Sequence, residues 1–586
     1  MGRTSLKLVF FCLLAVLLSC TQGGEGNGKK VYADYHGVRY TREHDGKLGR
    51  WEMYADTPQS STGRKTLCYN ADLIDSQGRH DIAATAYPLC GMQSNLDPEL
   101  LEYQILQAKT AGIDGFFIEW GFFPHENDLL LKSMQKAAAK YDFEVGVNWC
   151  DGWLYYNWIT KIYPEIDSRE AKTDYMVKCY QYLIDSVLSV STAPVVDGYP
   201  VFYHFGPGAT IEEWSKVRSS VILPEAMSEP VALRRWADWG RLEDGRYVAV
   251  KRSDDMDAWI EAGEVPTPWI PARVRTQDEQ HPYWDNYAET EDLIAFMEPF
   301  RDSVWASDMA SYKIKSGFVM PGMDNRGCAG WGRGHFFLIP RNEGLTYRTM
   351  WDFCMESADS LDMIFIASWS DYTEGHEIEP TVENGYRELL STLEYASRFK
   401  DIPRIDQSGI ELPLKLFKSR KQCRFLKLCG ADVSSLTNDL DNAALLISKG
   451  RYKRASRLLE GCHDELESLV SRVETRTVSL QGCEKKIFLE DSLTEELQSH
   501  NFDCTLEFQY LDSGRNFLFV RSSRNSSDGT EVLGKLRADD SGEWKTARML
   551  PPAALFDFSP GKPAISFSDG VEVRSIKLTF NIYSLK

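Results

Sequence analysis

Short apolar runs alternate with helical patterns over the first two thirds of the chain. Eight runs predict strands, at residues 66–70, 115–120, 144–149, 200–205, 219–223, 246–251, 316–321 and 363–369. Several of them are continuously apolar, as strands covered on both faces are. Apolar residues at helical spacing between the runs predict helices at 98–111, 127–140, 169–190, 211–217, 288–304, 347–359 and 383–399. This alternation predicts an α/β fold, a (β/α)8 TIM-like barrel over residues 31–401.

Beyond residue 401 the pattern changes twice. Apolar residues three and four positions apart over 433–447 and 455–473 predict a pair of helices within a linker, 402–474. Alternation of period two from 475 to 586 predicts a C-terminal antiparallel β-sandwich of about eight strands. We expect the sandwich either to brace the barrel or to bind carbohydrate. The segment 236–287 is rich in Trp, Pro and charge, which indicates an insertion among the barrel loops.

The amino terminus has the pattern of an export signal. Arg3 and Lys7 precede an apolar run over residues 8–18, which is shorter than the about 20 residues needed to span a bilayer. The ending L-L-S-C resembles a bacterial lipoprotein signal, residues 1–20, in which Cys20 is acylated; a secretory signal cleaved nearby is the alternative. The Gly-rich segment 21–30 predicts a flexible tether. We therefore expect an exported protein, lipid-anchored at the bacterial outer membrane or cell surface, or held in the periplasm.

Charge and cysteine content narrow the possible partners. The chain has 66 Lys and Arg against 86 Asp and Glu, a formal net charge of −20. Such an excess repels phosphate backbones, so we expect no nucleic-acid partner. The 13 cysteines include no C-x-x-C pair and no close Cys/His set with zinc spacing, so we expect no metal and no other cofactor. Most cysteines are interpreted as buried thiols, and a disulfide remains open.

Polar and aromatic residues follow several of the predicted strands. Active sites of such barrels lie at the carboxyl ends of the strands, so these residues should meet at one rim. A carboxylate, an amide, an imidazole and indoles suit a sugar site, where polar groups bond hydroxyls and aromatic faces stack on pyranose rings. Each also has a structural interpretation: a buried charge, a core indole or histidine, or, for the aspartate, an Asx turn. The candidates for substrate binding are Glu119, Trp120, Asn148, Trp149, His204, Asp324 and Trp369, together with His376 and Glu379 in the segment after the last strand.

Two carboxylates stand three residues apart just beyond the last predicted strand. They are Asp371 and Glu374, with His376 close behind. Cleavage of a glycosidic bond needs one protonated acid at the leaving oxygen and one ionised carboxylate that activates water or supports an internal nucleophile. The pair therefore indicates glycosidase chemistry, and a solvated acidic loop is the alternative.

The same segment resembles a family signature. The letters W-S-D-Y-T-E-G at 369–375, I-E-P at 378–380 and G-Y at 385–386 are similar to the pattern of glycoside hydrolase families 71 and 99 and their relatives. Segments 111–116 and 320–324 resemble two further motifs of these proteins. The resemblance covers roughly residues 31–400.

This resemblance implies an α-glycosidase with a (β/α)8 barrel and a glycan substrate of the α-glucan or α-mannan type. It makes Glu374 the general acid and Asp371 the base, or the helper of the substrate's own 2-hydroxyl. Asp371 resembles family 71, which is thought to invert, whereas Glu379 in its I-E-P context resembles family 99, which retains configuration. Ser370 replaces the usual Asn, which indicates a divergent member. A non-catalytic glycan-binding lipoprotein with a degenerate barrel is the alternative.

Overall fold

The computed structural model describes residues 28–54, 68–236, 239–241, 247–249, 254–271, 273–330, 334–403, 405–526 and 529–585. The predicted lipoprotein signal with Cys20, and nearly all of the predicted tether, lie outside the described residues. Among the residues that are described, no helix combines the length and apolar character needed to cross a membrane.

Eight parallel strands form a barrel, and each is followed along the chain by a helix. The strands are β1 (Lys30–Tyr35), β2 (Gly115–Trp120), β3 (Glu144–Trp149), β4 (Tyr199–His204), β5 (Val231–Trp236), β6 (Glu264–Pro268), β7 (Ser316–Val319) and β8 (Met363–Ile366). The helices are α1 (Pro98–Thr110), α2 (Glu126–Ala138), α3 (Arg169–Leu183), α4 (Ile211–Ser220), α5 (Asp254–Glu261), α6 (Thr290–Phe300), α7 (Leu345–Glu356) and α8 (Arg387–Phe399). The predicted α/β fold and its (β/α)8 TIM-like barrel are confirmed.

The strands follow one another around the barrel in chain order. Every neighbouring pair from β7 through β8 and β1 to β6 is parallel and hydrogen-bonded. In the described part of the chain, β6 and β7 lie side by side without such a ladder. Pro266 and Pro268 explain this seam, because proline has no N–H to donate and is confined to strand edges.

Five of the eight barrel strands lie where the apolar runs predicted them, and three predictions are wrong. In the first wrong segment, 66–70, the described part forms only an isolated bridge through Tyr69. The second, 219–223, is the end of α4 and the loop after it. The third, 246–251, contains a short strand that pairs antiparallel with Trp239–Arg241 outside the barrel.

Of the three strands that the apolar pattern missed, β1 is mostly apolar, whereas β5 and β6 contain charged residues. β5 contains Arg234 and Arg235, and β6 begins with Glu264. Glu264 is fully buried, and Arg234 is 7% exposed, with its Nε 3.5 Å from a Glu264 carboxylate oxygen. Because paired charges can be buried where isolated charges cannot, these strands do not appear as apolar runs.

A helical linker joins the barrel to the C-terminal unit. It contains α9 (Leu412–Leu428), α10 (Ser434–Ser448) and α11 (Tyr452–Leu469). The predicted pair corresponds to α10 and α11, and α9 was not predicted. The second helix ends at Leu469 rather than at 473, because a strand begins at Val470.

The C-terminal unit is the predicted antiparallel β-sandwich, with two four-stranded sheets among the described residues. Its strands are β9 (Val470–Leu480), β10 (Lys486–Ile487), β11 (Asn501–Leu511), β12 (Phe517–Ser526), β13 (Gly529–Arg537), β14 (Trp544–Met549), β15 (Ile565–Phe567) and β16 (Val573–Leu585), and α12 (Asp491–Ser499) lies between β10 and β11. Alternate side chains of both sheets form a separate hydrophobic core.

The sandwich packs against the segment between β1 and α1. The Lys535 N–H donates to Asp72 Oδ2 at 2.8 Å, and the Arg537 N–H donates to Asn70 Oδ1 at 2.9 Å. The Lys535 ammonium also lies 2.8 Å from a Glu52 carboxylate oxygen. These contacts favour the interpretation of the sandwich as a brace. Seven of the eleven described cysteines are buried thiols, as expected.

Candidate functional site

Three barrel strands bring polar side chains into the interior near their carboxyl ends. These are Asp34 on β1, Glu119 on β2 and Asn148 on β3. The register pairs Glu119 with Asn148, and Asn148 Nδ2 donates to Asp34 Oδ1 at 2.9 Å. We call this end of the barrel, together with His36, Asp371 and Glu374, the mouth.

His36, just beyond β1, links three carboxylates of the mouth. Its Nε2 lies 2.6 Å from Asp34 Oδ2, and its Nδ1 lies 3.3 Å from Asp371 Oδ2 and 3.6 Å from Glu119 Oε2. Burial by itself would lower the pKa of the imidazole, but the three carboxylates outweigh it and raise the pKa to about 10. His36 is therefore a cation at neutral pH.

Asp371 lies at the centre of the mouth, and its side chain is only 5% exposed. Its Oδ1 accepts hydrogen bonds from the Thr373 hydroxyl at 2.7 Å and from the Glu374 N–H at 3.2 Å. Its Oδ2 lies 3.3 Å from both His36 Nδ1 and His376 Nε2. Burial would raise the pKa of the carboxyl, but the two imidazoles outweigh it and hold the pKa well below its usual range.

Glu374 is the most accessible carboxylate of the mouth, with 29% of its side chain exposed. Its Oε2 lies 3.6 Å from His376 Nε2, and the nearest oxygens of Glu374 and Asp371 are within 4.8 Å of each other. Burial would lower the pKa of His376, but the two carboxylates outweigh it and raise the pKa to about 9. One protonated imidazole thus faces both carboxylates.

Two arginines complete the charge pattern. Arg50 Nη1 lies 2.5 Å from Glu119 Oε2, and Arg39 Nη2 lies 3.7 Å from Asp371 Oδ1. The Arg39 guanidinium also lies over two aromatic rings, with 5.4 Å to each centroid. Burial would raise the pKa of Glu119, but Arg50 and His36 lower it overall. Four carboxyl groups therefore face four basic side chains: Asp34, Glu119, Asp371 and Glu374 against His36, Arg39, Arg50 and His376.

Glu379 lies behind the mouth in a buried hydrogen-bond network. The Tyr372 hydroxyl donates to Glu379 Oε2 at 2.8 Å, and Gln104 Nε2 lies 3.0 and 3.1 Å from the two carboxylate oxygens. Burial raises the pKa of Glu379 to about 7, although both hydrogen bonds act in the opposite direction. With 3% exposure, Glu379 contacts protein rather than an open cavity.

The tryptophans at the strand ends do not face the mouth. Side chains alternate along a strand, so Glu119 and Asn148 point inward while Trp120 and Trp149 point toward the helices. Trp369 packs against Phe116 on the same outer side of the barrel wall. Trp120, Trp149 and Trp369 have 0% exposure, so they offer no surface to a sugar here and fit the core interpretation.

His204 belongs to a second ionic cluster between β4 and the helices. Its Nδ1 lies 2.5 Å from Glu264 Oε1, and its Nε2 lies 3.3 Å from Asp151 Oδ2. Burial would lower the pKa of His204, but the two carboxylates outweigh it and raise the pKa. All three side chains are fully buried, so the position of His204 fits a core histidine.

Asp324 stabilises a turn, which is the structural alternative to ligand binding for this residue. Its carboxylate accepts hydrogen bonds from the Arg326 backbone N–H at 3.2 Å and from the Arg326 guanidinium. Its own backbone N–H donates to the Glu374 carbonyl at 2.9 Å. Asp324 thus supports the chain that carries Glu374.

Three side chains of the mouth offer donor atoms suited to a metal ion. Asp371, Glu374 and His376 place one ligating atom each within 4.8 Å of one another. A metal would have to displace the proton of His376, whose pKa is raised to about 9. Metal-bound imidazoles usually donate their other N–H to an acceptor, and His376 Nδ1 has no hydrogen-bond partner in the described residues. The group fits an acid–base cluster better than a metal site.

Of the four basic residues of the mouth, only His376 was a candidate from the sequence; His36, Arg39 and Arg50 were not found. Asp34 and His36 lie at the carboxyl end of an apolar strand, 31–35, and the same kind of position identified Glu119 and Asn148 as candidates. Arg39 and Arg50 lie in the loop after that strand, where no pattern distinguishes them from solvated arginines.

Comparison with known proteins gives likenesses of fold. No family model matches the chain, and no curated protein sequence matches it. Among solved structures, an endo-α-mannosidase of glycoside hydrolase family 99 from Bacteroides thetaiotaomicron is similar at a TM-score of 0.43 and 16% identity, over 64% of this chain and 98% of that one. A glycoside hydrolase-like protein is similar at a TM-score of 0.42 and 12% identity, over 64% of this chain and 95% of that one.

Proposed function

We propose that the protein is an exported, lipid-anchored glycoside hydrolase that cleaves α-linked glycans of the α-glucan or α-mannan type. The observation that carries the proposal is the pair Asp371 and Glu374, whose nearest oxygens lie within 4.8 Å at the carboxyl end of a (β/α)8 barrel. A glycosidase needs two carboxylates with different protonation at one such site. Export and the lipid anchor rest on the sequence of residues 1–20.

The surroundings of the two carboxylates support different roles. Asp371 is held as an anion by His36 and His376, so it cannot be the proton donor. Glu374 is the more accessible of the two and is assigned as the general acid at the leaving oxygen. Asp371 then acts as base, or as helper of a substrate hydroxyl.

The separation of the carboxylates favours retention of configuration. Inverting enzymes keep their carboxyl groups about 6.5–9.5 Å apart to make room for a water molecule. One oxygen of Asp371 and one of Glu374 lie within 4.8 Å of each other, which is compatible with the carboxyl separation of about 5–5.5 Å in retaining enzymes. Both Asp371 oxygens already contact protein donors, which supports a substrate hydroxyl rather than Asp371 itself as the nucleophile.

One observation favours the second candidate function, a glycan-binding lipoprotein without turnover. The Ser370 hydroxyl, which stands where the related families have Asn, donates to the His36 carbonyl at 3.0 Å. Together with the 5% exposure of Asp371, this leaves fewer polar groups directed at a reacting sugar.

The test is the release of reducing ends from a panel of α-glucans, α-mannans and host-type glycans, with the anomer of the product determined. Asp371→Asn and Glu374→Gln should each lower turnover by about 10²- to 10⁴-fold, because each removes one acid–base group. Asp359→Asn, on an exposed turn, is the matched control and should leave turnover unchanged.

Retained wild-type turnover in either site variant would refute the assignment of roles. An inverted product anomer would refute the substrate-hydroxyl mechanism. Binding to one of the glycans without release of any product would favour the second candidate.

A further inference from the structure

Arg235 lies near the carboxyl end of β5, four strands around the barrel from β1. Its neighbour Arg234 lies over the Trp259 ring, 3.7 Å from the centroid, and Trp259 is on helix α5. Because side chains alternate along β5, Arg235 points to the barrel interior. It is the second-last residue of the strand, so its side chain lies at the carboxyl end.

Packing against the inner aromatic residues confirms this placement. The Arg235 guanidinium lies 4.1 Å from the centroid of the Phe205 ring. Phe205 in turn packs edge-on against Trp269, which contacts the interior ring of Phe365. Both Arg235 and Phe205 are partly exposed, so this aromatic wall opens to solvent at the mouth.

The Cys150 thiol connects Arg235 with the carboxylates. Burial raises the pKa of Cys150, Glu119 and Asp34 raise it further, and Arg235 opposes them. The strand register places Trp149 beside His204 and His204 beside Arg234, so the next residues, Cys150 and Arg235, lie at the same level at the carboxyl end of the barrel. Cys150 also follows two residues after Asn148, whose carbonyl lies 3.9 Å from the Cys150 sulfur. Arg235 thus borders the same mouth.

Arg235 differs from the other arginines near the mouth in its partners. Arg39, Arg50 and Arg234 each lie within 4 Å of a carboxylate oxygen. Within the described part of the chain, no carboxylate oxygen lies within 4 Å of Arg235; its guanidinium lies over the Phe205 ring, and Asp151, which acts on it from farther away, is already paired with His204. Among the described residues, Arg235 is therefore a partly buried cation that no carboxylate pairs with directly.

We infer that Arg235 is the specificity-determining residue of a subsite for a sugar that carries an anionic group, a sulfate ester or a uronate carboxylate. A guanidinium forms paired hydrogen bonds to the oxygens of either group, and these bonds are stronger where water is partly excluded. The Phe205 ring, 4.1 Å from the guanidinium, stabilises the cation through a cation–π contact. The inference rests on the proposed function, because it names the substrate class of the same mouth.

The experiment compares matched substrate pairs. One pair is a sulfated α-mannan oligosaccharide and its desulfated form, and the other is a glucuronate-bearing oligosaccharide and its carboxyl-reduced form. The wild type should favour the charged member of at least one pair by tenfold or more in kcat/KM. In Arg235→Gln that ratio should fall at least tenfold, and Arg235→Lys should retain part of it because the charge remains.

Arg301→Gln is the matched control. Arg301 also lies over an aromatic ring, 5.1 Å from the Phe353 centroid, but it follows α6 on the surface. Its substrate ratio should equal that of the wild type. An equal loss on charged and uncharged members in Arg235→Gln, or a wild type that favours the uncharged member of both pairs, would overturn the inference.

Calorimetric binding of the same four oligosaccharides separates this inference from the proposed function. If none of them is cleaved, the hydrolase proposal fails for these glycans, but tighter binding of a charged member that is lost in Arg235→Gln still supports the subsite. Identical binding of charged and uncharged members by the wild type would refute the subsite even if hydrolysis is observed.

Discussion

Replacing His36 by glutamine tests the electrostatic description of the mouth. The imidazolium contacts Asp34, Glu119 and Asp371, and it is largely buried. Its pKa is raised from 6.5 to about 10, which corresponds to about 5 kcal/mol of preference for the charged form at 1.36 kcal/mol for each pKa unit. His36→Gln removes the cation and leaves three carboxylates facing one another.

The sign of the pH dependence follows from the direction of the shift. The folded-state pKa lies above the unfolded value, so the stabilisation by His36 is complete below pH 6.5 and is lost as the pH rises through about 10. The destabilisation by His36→Gln should therefore be largest near pH 6, about 5 kcal/mol, and should shrink by about 1.4 kcal/mol per pH unit above pH 6.5.

Urea unfolding at pH 6, 7.5 and 9, followed by tryptophan fluorescence, measures this difference. His463→Gln is the matched control, because His463 lies on the exposed face of α11. Its difference from the wild type should be close to zero at every pH.

A destabilisation by His36→Gln that does not change with pH would refute the reasoning. If the variant does not fold at pH 6, the titration of His36 in the isotope-labelled wild type replaces it. A His36 resonance that titrates near pH 6.5 would then contradict the three-carboxylate environment.

Two further substitutions test the surroundings of the mouth. The pKa of Glu379 is raised from 4.5 to about 7, so Glu379 favours the folded state most below pH 4.5 and loses that contribution as the pH rises through about 7. Glu379→Gln should therefore be as stable as the wild type near pH 4.5 and up to about 3 kcal/mol more stable at pH 8. A variant less stable than the wild type at pH 8 would contradict this. Asp72 accepts from the Lys535 N–H and from the Arg42 guanidinium at 2.6 and 2.7 Å, so Asp72→Ala should cost about 3 kcal/mol in unfolding experiments. The control Asp569→Ala, which removes a fully exposed carboxylate, should cost less than about 0.5 kcal/mol, and equal effects of the two would refute the brace.

The apolar pattern predicted the barrel better than it predicted each strand. β2 is apolar up to its last two residues and β3 is apolar between Glu144 and Asn148, and both were located correctly. β5 and β6 could not be found this way, because Arg234 and Glu264 are partners of each other in the fold but are far apart in the sequence. A buried ion pair between two strands can be recognised only once it is known which strands are neighbours in the fold.

The candidate site shows the same limit at the level of single residues. Asp371 and Glu374 were located because a short motif carries both. The strand-end tryptophans were interpreted as ligands, although the period-two rule places Trp120 and Trp149 opposite the inward-facing Glu119 and Asn148. His376 was a candidate because it follows the same motif, whereas His36, Arg39 and Arg50 reach Asp371 and Glu119 through loop geometry, which the sequence pattern does not contain.

Three consecutive residues connect the chemistry of the barrel to the C-terminal unit. The Arg50 side chain contacts Glu119, the Trp51 ring lies beneath Arg39, and the Glu52 carboxylate contacts Lys535 of the sandwich. A chimaera that joins this barrel to another C-terminal unit would therefore have to redesign the loop after β1 as well. A cut in the helical linker would therefore not separate two independent units, because the loop after β1 contacts both the barrel mouth and the sandwich.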